Sequence, residues 1–232
     1  MTCTSGIAGG WALRGLALTM ALLLGAAPPP QRAPSPPPAT TLPQPAASSP
    51  SLAIAALAAT SPIIRVSEEF YDIRGSTAQA LSLEMRRLGP SSEAGQRHSA
   101  YTAWNINWRF HPESRGPACM ASWVEVKAEI VITLPRWDPP PEASRELRWQ
   151  WDTYLAALRA HEEGHRDLAV AAGQQVHTRI SGFLTASCQD FGRLVRREAH
   201  RILDQLRADD RRYDEETRSG ARQGAVWPPP RG

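Results

Sequence analysis

The strongest constraint on this chain is a change of hydrophobic period near residue 140. Upstream of it, "YTAWNINWRF" (101–110) and "WVEVKAEIVITLP" (123–135) alternate apolar and polar residues. Thr102, Trp104, Ile106, Trp108 and Phe110 fall on one side of the first stretch, with Asn105, Asn107 and Arg109 on the other. Val124, Val126, Ala128, Ile130 and Ile132 share a face of the second, opposite Glu125, Lys127 and Glu129. A period of two belongs to half-buried strands, because successive side chains point to opposite sides. From Glu142 onward the apolar residues recur every three to four positions and no strand pattern returns. One helix is expected over 142–183, and a second from the break at Ser187/Cys188 to about residue 216. Strands followed by long helices make an α+β class, here a small antiparallel sheet followed by two long helices. Pro135 and then Pro139–Pro141 are expected to end the sheet. Ahead of these, "IIRVSEEFYDI" (63–73) reads as a strand pair or a bent strand. "AQALSLEMRRLG" reads as a helix opened by a Ser76/Thr77 cap and closed at Gly89-Pro90.

The folded domain is expected over 62–232. Arg14 precedes an apolar run, Leu16 to Leu24, that ends in Gly25, Ala26 and Ala27, the layout of an export signal over 1–27. The run is too short to span a bilayer, so no stable membrane span is expected after cleavage. A second run, Leu52 to Ala59, is the alternative signal core if translation begins later. Residues 28–61 are read as a disordered Pro-rich linker, holding much of the chain's 21 prolines, which cannot bury a core. Export places the protein in an oxidising compartment. Cys3 leaves with the signal, so Cys119 and Cys188 remain as an even pair, and a disulfide is favoured over two free buried thiols. The net charge is only +3, and Arg is spread among acids rather than gathered into a patch. No nucleic-acid partner is expected on that distribution.

The chemistry concentrates in "RAHEEGHRD" (159–167). On a helix His161 and His165 lie about 40° apart and one turn along, so both imidazoles face one point. Tyr154, Leu158, Leu168, Ala172 and Val176 share their stripe, which places the pair on the buried side. Histidines at this spacing suit zinc, and Glu162 between them suits a general base for a water beside the metal. Gly164 inside the helix costs about 1 kcal/mol relative to Ala, which implies something packed close against it. Asp167 lies away from the ligand face and is read as a salt-bridge or capping residue. His177 also lies off that face and is read as a surface histidine. His98 and His111 stay unassigned.

The blocks "FYDIRG" (70–75), "YTAWNINWRF" (101–110), "ITLPRW" (132–137), "HEEGHRD" (161–167) and "YDEETRSGARQGAVWP" (213–228) together resemble the bacterial predicted secreted zinc-dependent proteases, long filed as a domain of unknown function. The resemblance covers roughly 62–228. It implies a minimal zincin-like metalloprotease domain with Zn2+ held by His161 and His165 and with Glu162 as base. The family's two cysteines match Cys119 and Cys188. One departure stands out: where the family carries Thr-x-His-Gly, this chain reads Thr217-Arg218-Ser219-Gly220. Serine is a poor zinc ligand and a catalytic zinc needs three protein ligands. Asp214 is the first candidate for the third, then Glu198 or His200.

The reading that results is a secreted or periplasmic zinc metallopeptidase acting on a peptide or protein substrate. Amidase action on cell-wall peptide is the second enzymatic option. The alternative of another class is a catalytically silent exported binding module with a degenerate metal site. For the enzyme, the strand at 123–134 is expected to offer an edge to an extended peptide.

Overall fold

The computed structural model describes residues 61–92 and 95–230. The signal segment 1–27 and the linker 28–61, apart from its last residue, lie outside them. The elements follow the order β1 (Ile63–Ile73), α1 (Ala78–Leu88), β2 (Tyr101–Arg115), β3 (Ala118–Trp137), α2 (Arg145–Ser181), β4 (Leu184–Thr185) and α3 (Cys188–Thr217), with a 3-10 turn at Ala221–Gln223. Both long helices begin where their caps put them. The Ser144 hydroxyl accepts from the Leu147 N–H and the Ser187 hydroxyl from the Gln189 N–H, satisfying orphan donors of the first turn. The class is α+β, with a small sheet and two long helices among three.

The strand order is β1-β3-β2, with β4 against the start of β3. β2 and β3 form a long antiparallel hairpin, turning at Gly116-Pro117, where Gly116 has φ 61°. A positive φ at the first turn position followed by Pro suits a two-residue hairpin turn, and it carries both strands beyond the alternating cores of 101–110 and 123–135. The antiparallel expectation holds for β2–β3 and β3–β4, while β1 is one unbroken strand running parallel to β3. The hairpin inserts β3 between β2 and β1, so β1 meets a neighbour pointing its own way. Pro135 does not end the sheet: β3 runs on to Trp137, pairing Pro135 with Tyr71 of β1. β2 pairs no further than Thr133, so on that side the missing N–H of Pro135 has no ladder bond to lose. β3 is paired on both sides along most of 123–134. Over 127–133 it therefore offers no edge, and the outer strands of the order are β1 and β2.

Two apolar clusters form the core. One joins Ile106, Val126, Ala128 and Ile130 of the hairpin to Ala172, Val176 and Ile180 of α2 and to Phe191, Val195 and Ile202 of α3. The other joins Ile73, Leu81, Met85, Leu134 and Trp137 to Leu147, Trp151, Tyr154 and Leu158 of α2. α2 packs on the sheet along one face and on α3 along another, so its buried arc is wider than one stripe. A Cβ at Gly173 would stand 3.2 Å from that of Ala128, and His177 one turn on is buried at 7 % exposure, against the expectation of a surface histidine.

Cys119 and Cys188 are disulfide-bonded, tying the start of β3 to the first residue of α3 across a sequence separation of 69. Closing a loop of that length stabilises by roughly 4 kcal/mol in the chain-entropy model. Thiol titration of denatured protein made under oxidising conditions is expected to find neither cysteine free; two titrating thiols would contradict the bond. Among the described residues no helix is long and apolar enough to cross a membrane.

Candidate metal centre

The middle of α2 presents His161, Glu162 and His165, all buried. Opposite them, the last two turns of α3 present Asp210, Tyr213, Asp214 and Thr217, spaced three and four apart on one helical face. Nε2 of His161 lies 3.1 Å from Asp214 Oδ1, and Nε2 of His165 lies 3.3 Å from the same oxygen. One atom from each of the three residues falls within 4.8 Å of the other two. Asp214 thus stands where the first candidate for a third ligand was expected.

The other ring nitrogens are held from behind. His161 Nδ1 is 3.0 Å from Gln223 Oε1, and His165 Nδ1 is 3.0 Å from Asp210 Oδ1. Both partners are acceptors, so each Nδ1 carries the proton and each Nε2 turns a lone pair towards Asp214. Asp210 is itself fixed by the Trp104 indole, which donates to Oδ2 at 3.0 Å. Two lone pairs and a carboxylate facing one another repel, unless a cation, proton or metal, sits among them. Tetrahedral zinc with bonds of 2.0–2.1 Å places its ligand atoms about 3.3 Å apart, and carboxylate-backed imidazole is its usual support. The donor set fits zinc.

Electrostatics describe the same site carrying a proton. Burial pulls the His165 imidazole down, but hydrogen bonds to Asp210 and Asp214 and the charges of Asp214 and Glu162 more than reverse this, raising it to about 9. Burial pushes Asp214 up, yet the two imidazoles outweigh it and hold the carboxyl well below its ordinary range. Glu162 is raised, first by burial, with the Thr102 hydrogen bond and the imidazoles opposing. Its Oε2 accepts from the Thr102 hydroxyl of β2 at 2.8 Å, which aims the side chain from the sheet.

Backbone geometry makes this closeness possible. α3 ends in two left-handed residues, Arg218 (φ 52°) and Ser219 (φ 48°), followed by Gly220 at φ 80°. The chain doubles back, so that Gln223 reaches His161. Gly220 packs directly on the imidazole, where a Cβ would sit 3.0 Å from His161 Cγ. Tyr213 stacks on His161 with ring centroids 5.1 Å apart and meets His165 edge-on at 4.9 Å. Its phenol lies over Gly164, the close packing that an interior glycine implied.

The remaining candidates fall elsewhere. Glu198 is ion-paired with Arg179 at 2.8 Å and Arg201 at 2.9 Å. His200 is exposed and meets Trp108 edge-on. Both sit roughly 20 Å along the helix from Asp214, because a ligand search by residue type ignores which end of α3 meets α2. Asp167 pairs with Arg166 at 2.9 Å on the surface, as its position implied. His111 lies exposed on β2, whereas His98 lines the cleft of about 600 Å3 in front of His161, Glu162 and His165. Ser219 lines this cleft too, and its backbone N–H donates to the Asp214 carbonyl at 2.8 Å. Asp210, Tyr213, Gln223 and Thr102 had not been singled out. The polar stripe at 210, 213, 214 and 217 was a usable signal for the first two; nothing in sequence marks Thr102 or Gln223.

No curated protein and no solved structure matches the chain. A family model described as "Bacterial protein of unknown function (DUF922)" matches residues 68–221, a span that holds β1 from Glu68, the hairpin, both long helices and every residue of the His161, His165 and Asp214 group. With most of its length covered in this way, the chain belongs to the DUF922 family.

Proposed function

We propose that this protein is an exported zinc-dependent peptidase, with His161, His165 and Asp214 as its metal ligands. The observation that carries the reading is the convergence of two imidazole lone pairs on one carboxylate oxygen, at 3.1 and 3.3 Å, beside a buried glutamate. Zinc bound there would polarise a substrate carbonyl and make water acidic enough to supply hydroxide near neutral pH. The chain's own residues supply the rest. Glu162 accepts the proton of the attacking water and returns it to the leaving amine, with Thr102 holding its Oε2 in place. A carboxyl raised by burial suits that exchange better than an ordinary one, because it binds and releases a proton closer to neutrality. Asp210 and Gln223 fix the tautomers of the two histidines, and Tyr213 shields the imidazoles from one side. Tyr101, Thr102 and Trp104 bring the edge strand β2 into the cleft wall, so an extended peptide can run along it. The disulfide supports export, since such bonds persist in oxidising compartments. The resemblance to secreted zinc-dependent proteases points the same way.

The test separates the proton carrier from the ligands. Glu162→Gln is expected to lower kcat by about 10²–10⁴-fold, the usual worth of a general base, with zinc still bound one to one. His161→Ala and His165→Ala should lose the metal. Zinc loss in the Gln variant would show the roles to be wrongly assigned, and undiminished peptide hydrolysis in it would remove Glu162 from the chemistry.

A further inference from the structure

The charged side chains lining the cleft are unequal in how far they are already satisfied. Asp210 and Asp214 are taken up by the two imidazoles, and Glu162 by Thr102. The two arginines of the lining, Arg97 and Arg211, are both exposed and have no acidic partner among the described residues. Arg97, on the segment leading into β2, donates once to the Gly89 carbonyl at 2.7 Å, which leaves most of its fork unused. On α3, Arg196, Arg197 and Arg211 lack the carboxylate three residues earlier that the helix's other arginines pair with, and of these three only Arg211 lines the cleft. Arg193, Arg201, Arg207 and Arg212 each pair with a carboxylate three residues earlier, whereas Arg211 has Ala208 at that position and makes no pair. It lies three residues before Asp214 and so shares a helical face with the candidate metal ligand, about 5–6 Å between Cβ atoms.

We propose that the cleft selects peptides bearing a carboxylate close to the scissile bond, gripped by Arg211 and Arg97. This rests on the peptidase reading above and names the substrate class for it. A guanidinium fork matches a carboxylate with two parallel hydrogen bonds, and partly desolvating the pair inside a cleft strengthens them. The carboxylate can come from an Asp or Glu side chain or from the free C-terminus of a short peptide, and the test distinguishes these sources.

Three fluorescent peptides of one backbone serve as probes: amidated with an internal Glu, free-ended with Gln in its place, and amidated with Gln. Binding is measured by anisotropy to the zinc-loaded Glu162→Gln protein, while cleavage by wild type is followed by mass spectrometry. At least one carboxylate peptide should bind roughly tenfold more tightly than the neutral one, with the difference shrinking as salt rises. Whichever of the first two shows it identifies the source. Arg211→Glu should abolish that preference and transfer it to a Lys-bearing peptide, an inversion that a purely structural residue would not produce; Arg97→Glu should reduce it. Equal binding of all three peptides by a protein that cleaves them overturns this proposal and leaves the peptidase standing. Failure of wild type to cleave any peptide overturns the peptidase reading and this one with it.

Discussion

Gly164→Ala should cost the protein most of its affinity for zinc, although it replaces the second-worst helix former with the best. A Cβ at position 164 would stand 2.2 Å from the Tyr213 hydroxyl oxygen, 2.4 Å from Cζ and 2.7 Å from Cε1. None of these is tolerable, and the obstacle is a ring packed on two imidazoles, with its hydroxyl accepting from the Gln223 amide at 3.0 Å. Tyr213 must move, and Asp214 is the next residue on the same helix. The gain of about 1 kcal/mol in helix propensity is set against an overpacking cost of 1–3 kcal/mol. Fold stability should therefore change modestly while the site is displaced. Competition with a chelator is expected to show zinc affinity down by roughly 10–100-fold, the range for losing an outer support of a metal ligand. An Ala variant that binds zinc like wild type would mean Tyr213 is free to swing away and does not position Asp214.

The second large effect concerns how the site manages with serine at position 219. Asp214→Ala should weaken zinc binding by on the order of 10²–10³-fold, since the 10–16 kcal/mol of a structural zinc site is shared among four ligands. Ser219→His alone should change little, because the set is complete without it. Combined with Asp214→Ala, however, it should restore much of the lost affinity. Residue 219 lines the same cleft at φ 48°, and histidine is among the residues that tolerate the left-handed region. Titrating a competing chelator into wild type, both single variants and the double variant decides the matter. Poor binding by wild type, with strong gain from Ser219→His alone, would mean that Asp214 does not serve and the site is degenerate as it stands.

The elements were legible because their signals are local. The period change near residue 140, the Ser187 cap and Gly89-Pro90 need only a few neighbouring residues, and the helices end within a few positions of where those signals put them. The pairing of His161 with His165 is local too, one turn of one helix. The direction of β1 was not legible, because it depends on which strand the hairpin inserts beside it, and no residue of 63–73 records that. His177 was misplaced for a related reason: a helical stripe shows that one face is buried, but not that the sheet and a second helix bury two. Asp214 was reached from Ser219, through a departure from the family's pattern, whereas Asp210 and Gln223 act from behind the imidazoles. Their function exists only once α3 has docked on α2 and the chain has doubled back at Gly220.

α2 contributes along its length to both apolar clusters, through residues 147–158 to one and 169–180 to the other, and β3 does the same through residues 119–130 and 132–137. Between those halves, the buried side chains of α2 are His161, Glu162 and His165, and they hold to α3 and β2 by hydrogen bonds and by the packed ring of Tyr213. The two clusters are joined by β3 and α2, and the cleft residues add a polar link from the middle of α2 to β2 and α3. An ion drawn into the three-residue group would tie α2 to α3 at the cleft. A chain stripped of it would keep both hydrophobic cores and lose that added tie.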